Sequence, residues 1–159
     1  MTSRRSIGWA HPAHLIATWF GAGYMPKAPG TWGSLAALPF AWVLSSFGGS
    51  AALLAATFLA LFAGIWAAGV LERTTETKDP GKIVIDEVAG QWLTLVTVPP
   101  DPLLYLVGII LFRIADILKP WPASWVDQHL SGGLGVMLDD IAAGAYAAAG
   151  LYLIAEYLL

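Results

Sequence analysis

From Ala28 to Leu71 the chain carries no Asp, Glu, Lys or Arg. A helix that faces water needs charged or strongly polar positions on its outer side, and this run offers almost none. It is also too long for one crossing of a ~30 Å hydrocarbon core, which takes about 20 helical residues. The stretch SSFGGS at 45–50 divides it. The run therefore predicts a hairpin of two membrane helices, 33–46 and 51–71, the first short for a full span. Small residues such as Ala60, Ala63, Gly64, Ala67 and Ala68 let neighbouring helices approach closely where lipid supplies no hydrophobic drive.

Composition extends this reading to the whole chain. Hydrophobic residues make up 57% and charged residues only 12%, against roughly 25% charged in ordinary soluble proteins. A net charge of −3 without any basic run argues against nucleic acid as a partner. The absence of cysteine excludes disulfides and thiolate sites. Arg4 and Arg5 precede an apolar stretch that glycines interrupt, so no cleavable leader is expected. Residues 1–9 are expected to be disordered, and 10–22 to form a short helix on the membrane surface with Trp9 and Trp19 at headgroup depth. In MPKAPGTWGS (25–34), Pro26 and Pro29 oppose helix and Thr31 is the expected N-cap. A polar loop at 72–82 turns at Asp79-Pro80-Gly81. Ile83–Val98 and Leu103–Leu118 read as two further short helices and Ile141–Leu159 as the last. The predicted fold is thus a single all-α domain spanning 1–159, a polytopic membrane helical bundle whose motif loops and helix ends converge on the cytoplasmic face.

The side follows from charge. If 1–32, 72–86 and 113–140 share one side, all eight Lys and Arg fall there, and the positive-inside rule makes that side cytoplasmic. Of the eleven acidic residues, only Asp101 and Glu156 lie opposite.

Chemistry concentrates between Phe112 and Gly144. Arg113, Asp116 and Lys119 recur every three residues, close to one helical face. Pro120 and Pro122 then break the helix, and Gly132, Gly133 and Gly135 read as a loop. Two segments resemble one another, IDEVAG (85–90) and LDDIAAG (138–144). Each puts adjacent carboxylates at the expected first turn of an apolar helix, with a glycine four residues after Asp86 and after Asp140. Helix dipoles account for one acid per helix start. Two adjacent acids, twice, at a membrane edge point instead to a shared hard cation, and an all-oxygen set suits Mg2+. Arg113 and Lys119 are read either as interfacial anchors or as partners of an anion. Lys27 and the turn through Gly30 and Thr31 either present helix-start amides to phosphate or simply begin a helix. The reading from another class is a cation-transporting membrane protein that uses the Asp/Glu cluster. Acids at helix ends beside Lys and Arg suit that role poorly.

APGTWGSLAALP (28–39), DPGKIVIDEVAGQW (79–92), FRIADILKPWP (112–122) and GGLGVMLDDIAAG (132–144) together resemble bacterial phosphatidylglycerophosphatase A, in order and in spacing. The resemblance implies a Mg2+-dependent hydrolase of the bacterial inner membrane, acting on phosphatidylglycerophosphate among the membrane lipids. It adds His14, Asp79 and Asp127 to the matched polar positions. On the chemistry of the residues, Asp86, Glu87, Asp139 and Asp140 are the expected metal ligands. Arg113 and Lys119 neutralise phosphate, and Asp116, or a motif carboxylate such as Asp140, takes the proton of the attacking water. His14, Lys27, Gly30, Thr31 and Asp79 complete the expected substrate contacts.

Overall fold

The structure, a computed structural model, describes residues 8–75 and 80–158. Within them it is helical throughout, without a strand. The helices are α1 (Pro12–Ala17), α2 (Pro29–Thr75), α3 (Ile85–Leu95), α4 (Pro102–Leu118), α5 (Ala123–His129) and α6 (Gly132–Tyr157), with a 3-10 turn at Ala22–Tyr24.

The charge-free run does form a hairpin. Within α2, Gly49 leaves the helical region (φ 64°, ψ −166°), inside the expected break. Gly33 of the first arm lies against Val84, and Gly64 of the second against Ile85. Both arms thus reach the same end of α3 and run in opposite directions. The first arm and α3 are parallel, locked by the Trp92 indole donating to the Ala37 carbonyl at 2.9 Å. Helix α4 runs against them. Its start meets the first arm where the Tyr105 hydroxyl donates to Ser45 Oγ (3.3 Å), and its end brings Arg113 to Gly30. Helix α6 runs beside α3, and Thr97 Oγ1 donates to the Ala148 carbonyl at 3.4 Å. The starts of α2 and α3, the first turns of α6 and the end of α4 therefore gather at one end of the bundle.

Two local devices hold that arrangement. Asp101 caps α4, its Oδ1 accepting from the amides of Leu103 (2.9 Å) and Leu104 (3.0 Å). Helices α3 and α6 cross with no side chain between them. A Cβ on Gly144 would stand 2.5 Å from the Gly90 carbonyl oxygen, and one on Gly90 would stand 2.6 Å from that of Asp140. Only glycine at both positions permits so close a crossing.

Several local expectations are corrected. Helix α6 begins at Gly132, not Ile141. Gly133 is glycine because a Cβ there would overlap the Ile65 carbonyl of α2. Tertiary approach explains Gly133, whereas Gly132 takes a left-handed φ of 74° at the helix start and Gly135 packs on the Leu130 carbonyl, and Asp139-Asp140 sit well inside the helix. Thr31 is not an N-cap. Pro29 opens α2, as suits a residue lacking the N–H that a first turn leaves unused, and the Ala28 carbonyl accepts from Thr31 and Trp32. Helix α1 is shorter than 10–22, since left-handed backbone at Trp19, Phe20 and Gly21 reverses the chain. Trp19 is partly buried and stands edge-on to Trp92, with ring centres 5.5 Å apart. Helix α5 was not expected between the prolines and the glycines.

Helices α2 and α6 are long and apolar enough to cross a membrane. Helix α3, with 11 residues, covers only about 16 Å and is buried among the others. The exterior exposes Phe47, Leu59, Phe62, Ile117 and Leu118, an apolar surface of a kind that calls for a partner or lipid.

Candidate active site

At the gathered end, the first turn of α3 supplies Asp86 and Glu87 and α6 supplies Asp140. One carboxylate oxygen from each lies within 4.8 Å of the others. Asp86 and Asp140 are buried, and the Glu87 side chain is 14% exposed. The Gly90–Gly144 crossing, one turn further along both helices, sets how closely the two helices bring these acids together. Gly30 closes the site from α2. A Cβ there would overlap Glu87 Oε1 and stand 3.1 Å from Arg113 Nη1.

Two bases flank the acids. Arg113 Nη1 lies 2.6 Å from Asp116 Oδ2 and 3.9 Å from Glu87 Oε1. Lys119 caps α4 in left-handed backbone (φ 44°, ψ 61°). Its Nζ donates to Asp139 Oδ2 at 2.5 Å and lies 3.3 Å from Asp127 Oδ1. The other Asp139 oxygen accepts from the Asp140 amide at 2.9 Å. Burial opposes the charge on Lys119, but the hydrogen bond and charge of Asp139, followed by those of Asp127, outweigh it. The Lys119 pKa is accordingly raised above the ordinary lysine value.

Among the described residues, the ion pairs of the clustered acids and of Asp116, Asp127 and Asp139 beside them are made by Arg113 and Lys119. Glu87 Oε2 and Asp140 Oδ2 are buried without a hydrogen-bond partner, a costly state for carboxylate oxygens. A divalent cation would relieve both the excess charge and the missing partners. Mg2+ holds oxygens at about 2.1 Å, so opposed ligands stand some 4.2 Å apart. The cluster meets that with a small contraction, and three protein oxygens leave positions for water and phosphate, as Mg2+ prefers. The residues fit the ion.

Of the expected metal ligands, the structure groups Asp86, Glu87 and Asp140, and places Asp139 on Lys119 instead. Thr31 is partly buried next to Gly30, while Lys27 is exposed. His14 is engaged elsewhere. Its Nε2 lies 2.5 Å from the Tyr24 hydroxyl, and its ring stacks on Tyr24 in a group with Trp9. Burial, then the charges of Lys82 and His11, lower its pKa. Asp79 and most of residues 1–9 lie outside the described residues.

The family model for phosphatidylglycerophosphatase A matches residues 15–155. The chain belongs to that family. It is 39% identical to phosphatidylglycerophosphatase A of Escherichia coli (strain K12), over 98% of this chain and 90% of that protein. The Haemophilus influenzae protein of the same name is 35% identical, over 98% and 96%. A Bacteroides thetaiotaomicron protein, provisionally named phosphatidylinositol-3-phosphatase, is 41% identical over 84% of this chain and 87% of its own length. No solved structure matches significantly.

One buried polar residue near the candidate site is absent from the sequence-based expectations. Gln91 is fully buried one turn after Glu87, and neither polar atom of its amide has a partner. Being neutral and inside an apolar helix, it carries no charge signal. Its spacing of four from Glu87 was the only clue.

Proposed function

We propose that the protein is a Mg2+-dependent lipid phosphate monoesterase that converts phosphatidylglycerophosphate to phosphatidylglycerol and phosphate at the cytoplasmic face of a bacterial inner membrane, with several membrane crossings. Its membership of the family makes it a phosphatase. The observation that carries the metal and site reading is the convergence of Asp86, Glu87 and Asp140 from two helices, flanked by Arg113 and Lys119. Such a site takes a cation and an anion together, which phosphoryl transfer requires. Transport fits less well, because the acids lie at the bundle end beside two bases.

Held by Asp86, Glu87 and Asp140, Mg2+ would supply Lewis acidity toward a phosphoryl oxygen. The chain's own residues do the rest. Arg113 and Lys119 bind the phosphate and offset charge that shifts among its oxygens in the transition state. With its raised pKa, Lys119 is cationic at neutral pH. Asp116, held by Arg113 and adjoining both Glu87 and Asp140, accepts the proton of the water that attacks phosphorus as the ester P–O bond breaks, and the departing glycerol oxygen takes up a proton to leave as the alcohol. Gly30 leaves the room that Glu87 and Arg113 occupy. Lys27 and Thr31, at the same end of α2, are proposed headgroup contacts, together with Asp79, while His14 serves Tyr24.

The lipid is favoured because a bilayer would deliver its phosphate to the depth of the site already oriented. Two relatives that span nearly the whole chain carry the phosphatidylglycerophosphate name, and the third carries another lipid phosphate. Phosphate release is the test, using purified protein with phosphatidylglycerophosphate, phosphatidylinositol 3-phosphate and glycerol 3-phosphate at equal concentration. The first should be fastest, chelation of Mg2+ should stop it, and the soluble ester should be slowest. Equal rates on all three would remove the lipid selectivity, and release indifferent to chelator would remove the metal. For the topology, single cysteines at positions 48 and 101 should react with an external reagent, and one at 128 should not.

A further inference from the structure

Among the described residues, Gln91 is the one neutral side chain with buried, unpartnered polar atoms at the site end. The rest of the buried face of α3 is largely apolar, with Val88, Ala89 and Leu95. A methionine or leucine would fill the same volume without stranding a donor and an acceptor. Glu87 and Gln91 share a helical face, and helix side chains lean toward the N-terminus. The long Gln91 side chain therefore leans toward the level of the Glu87 carboxylate. The buried oxygens Glu87 Oε2 and Asp140 Oδ2 also lack partners. Unmet donors and unmet acceptors thus lie within one turn of each other on packed helices.

We propose that Gln91 belongs to the cation site, its Oε1 serving as a neutral further oxygen donor while its NH2 group donates to the carboxylates of Glu87 and Asp140. An amide adds an oxygen without adding a fourth negative charge at the deepest point of the site. Its NH2 group would orient these two carboxylates through the oxygens that lack a partner. This inference rests on the Mg2+ reading above.

Full-length protein in detergent is titrated with Mg2+, and thermal melting reports binding independently of activity. Gln91→Met keeps the volume and removes both polar atoms; Gln91→Glu keeps an oxygen. Gln91→Met should weaken Mg2+ binding by about 10–100-fold, yet melt no lower than wild type without Mg2+. Gln91→Glu should bind more tightly than Gln91→Met. Wild-type Mg2+ affinity in Gln91→Met, or equal weakness in both variants, would overturn the assignment and make Gln91 a core residue only. Should Gln91→Met not fold, Gln91→Asn, which withdraws the amide by one methylene, must still shift the Mg2+ midpoint; an unmoved midpoint overturns the proposal. If the wild type shows no Mg2+-dependent stabilisation, the metal reading itself fails, and this inference with it.

Discussion

The two acid pairs look alike in sequence and are used differently. On α3, Asp86 and Glu87 both serve the cluster. On α6 only Asp140 does, while Asp139 holds Lys119. The cause is angular. Consecutive helical residues point about 100° apart, so an adjacent pair meets one centre only where the helix end faces it squarely. The first turn of α3 does so. The α6 pair lies well inside its helix, and its two side chains reach different neighbours. On the proposed reading, the doubled acid on α6 supplies one ligand, together with a group that holds the lysine beside it.

The largest expected effect tests the shared side of that comparison. Asp86→Asn and Asp140→Asn should each lower kcat by on the order of 10^3-fold, with the double variant little worse, because the ligands act as a unit. Phosphate release and Mg2+-dependent melting measure both aspects, and near-normal turnover in either single variant would break the cluster. Asp139→Asn should behave differently, losing roughly 10–100-fold with its Mg2+ midpoint unmoved. A shifted midpoint would return Asp139 to the metal and erase the distinction.

The same variant has a pH signature. Lys119 has a raised pKa in the folded protein. Its stabilising contribution is complete below the ordinary lysine value, about 10.4, and is lost only as pH climbs through the raised one. Asp139→Asn removes its main support, so the alkaline fall in melting temperature should begin at lower pH than in wild type. Matching alkaline limbs would mean that Asp139 does not hold the charge on Lys119.

Gly30→Ala probes the α2 side and should cost less, about tenfold in turnover with little change in melting. The neighbours of its new methyl are the movable Glu87 and Arg113 side chains. The smallest effect is expected at His14, whose partner is Tyr24. His14→Gln should change turnover by less than about threefold and cost on the order of 1 kcal/mol of stability. With its pKa lowered on folding, His14 supports stability above about pH 6.5, and that support is lost as pH falls through its folded value. The variant should melt with a flatter profile across this acid range. A large loss of turnover at neutral pH would instead place His14 at the substrate.

Much of the fold was legible because lipid and water leave strong marks on composition. The charge-free run and its glycine break gave the hairpin, and the PPDP turn gave the start of α4. What went unread depended on contacts distant in sequence. Gly133 looks like a loop residue until Ile65 and Gly69 are seen against it, and close approach then outweighs the poor helix propensity of glycine. Thr31 looks like a cap until Pro29 is seen to open the helix. The carboxylates and bases were readable from charge at a membrane edge. The split between Asp139 and Asp140 was not, since it depends on how α6 is rotated, and Gln91 has no charge to betray it.

The crossing at Gly90 and Gly144 has a genetic corollary. The nearest atoms to a methyl at position 144 are main-chain atoms of Gly90, and a peptide unit cannot be made smaller by any codon change. An alanine there should have no partner-site suppressor, and a selection for restored growth should return the original glycine or nothing nearby. At position 90 one obstruction is the Phe112 ring, which mutation can shrink, but the Asp140 carbonyl remains. The two glycines should therefore rank among the least exchangeable positions in the chain, although neither touches a substrate.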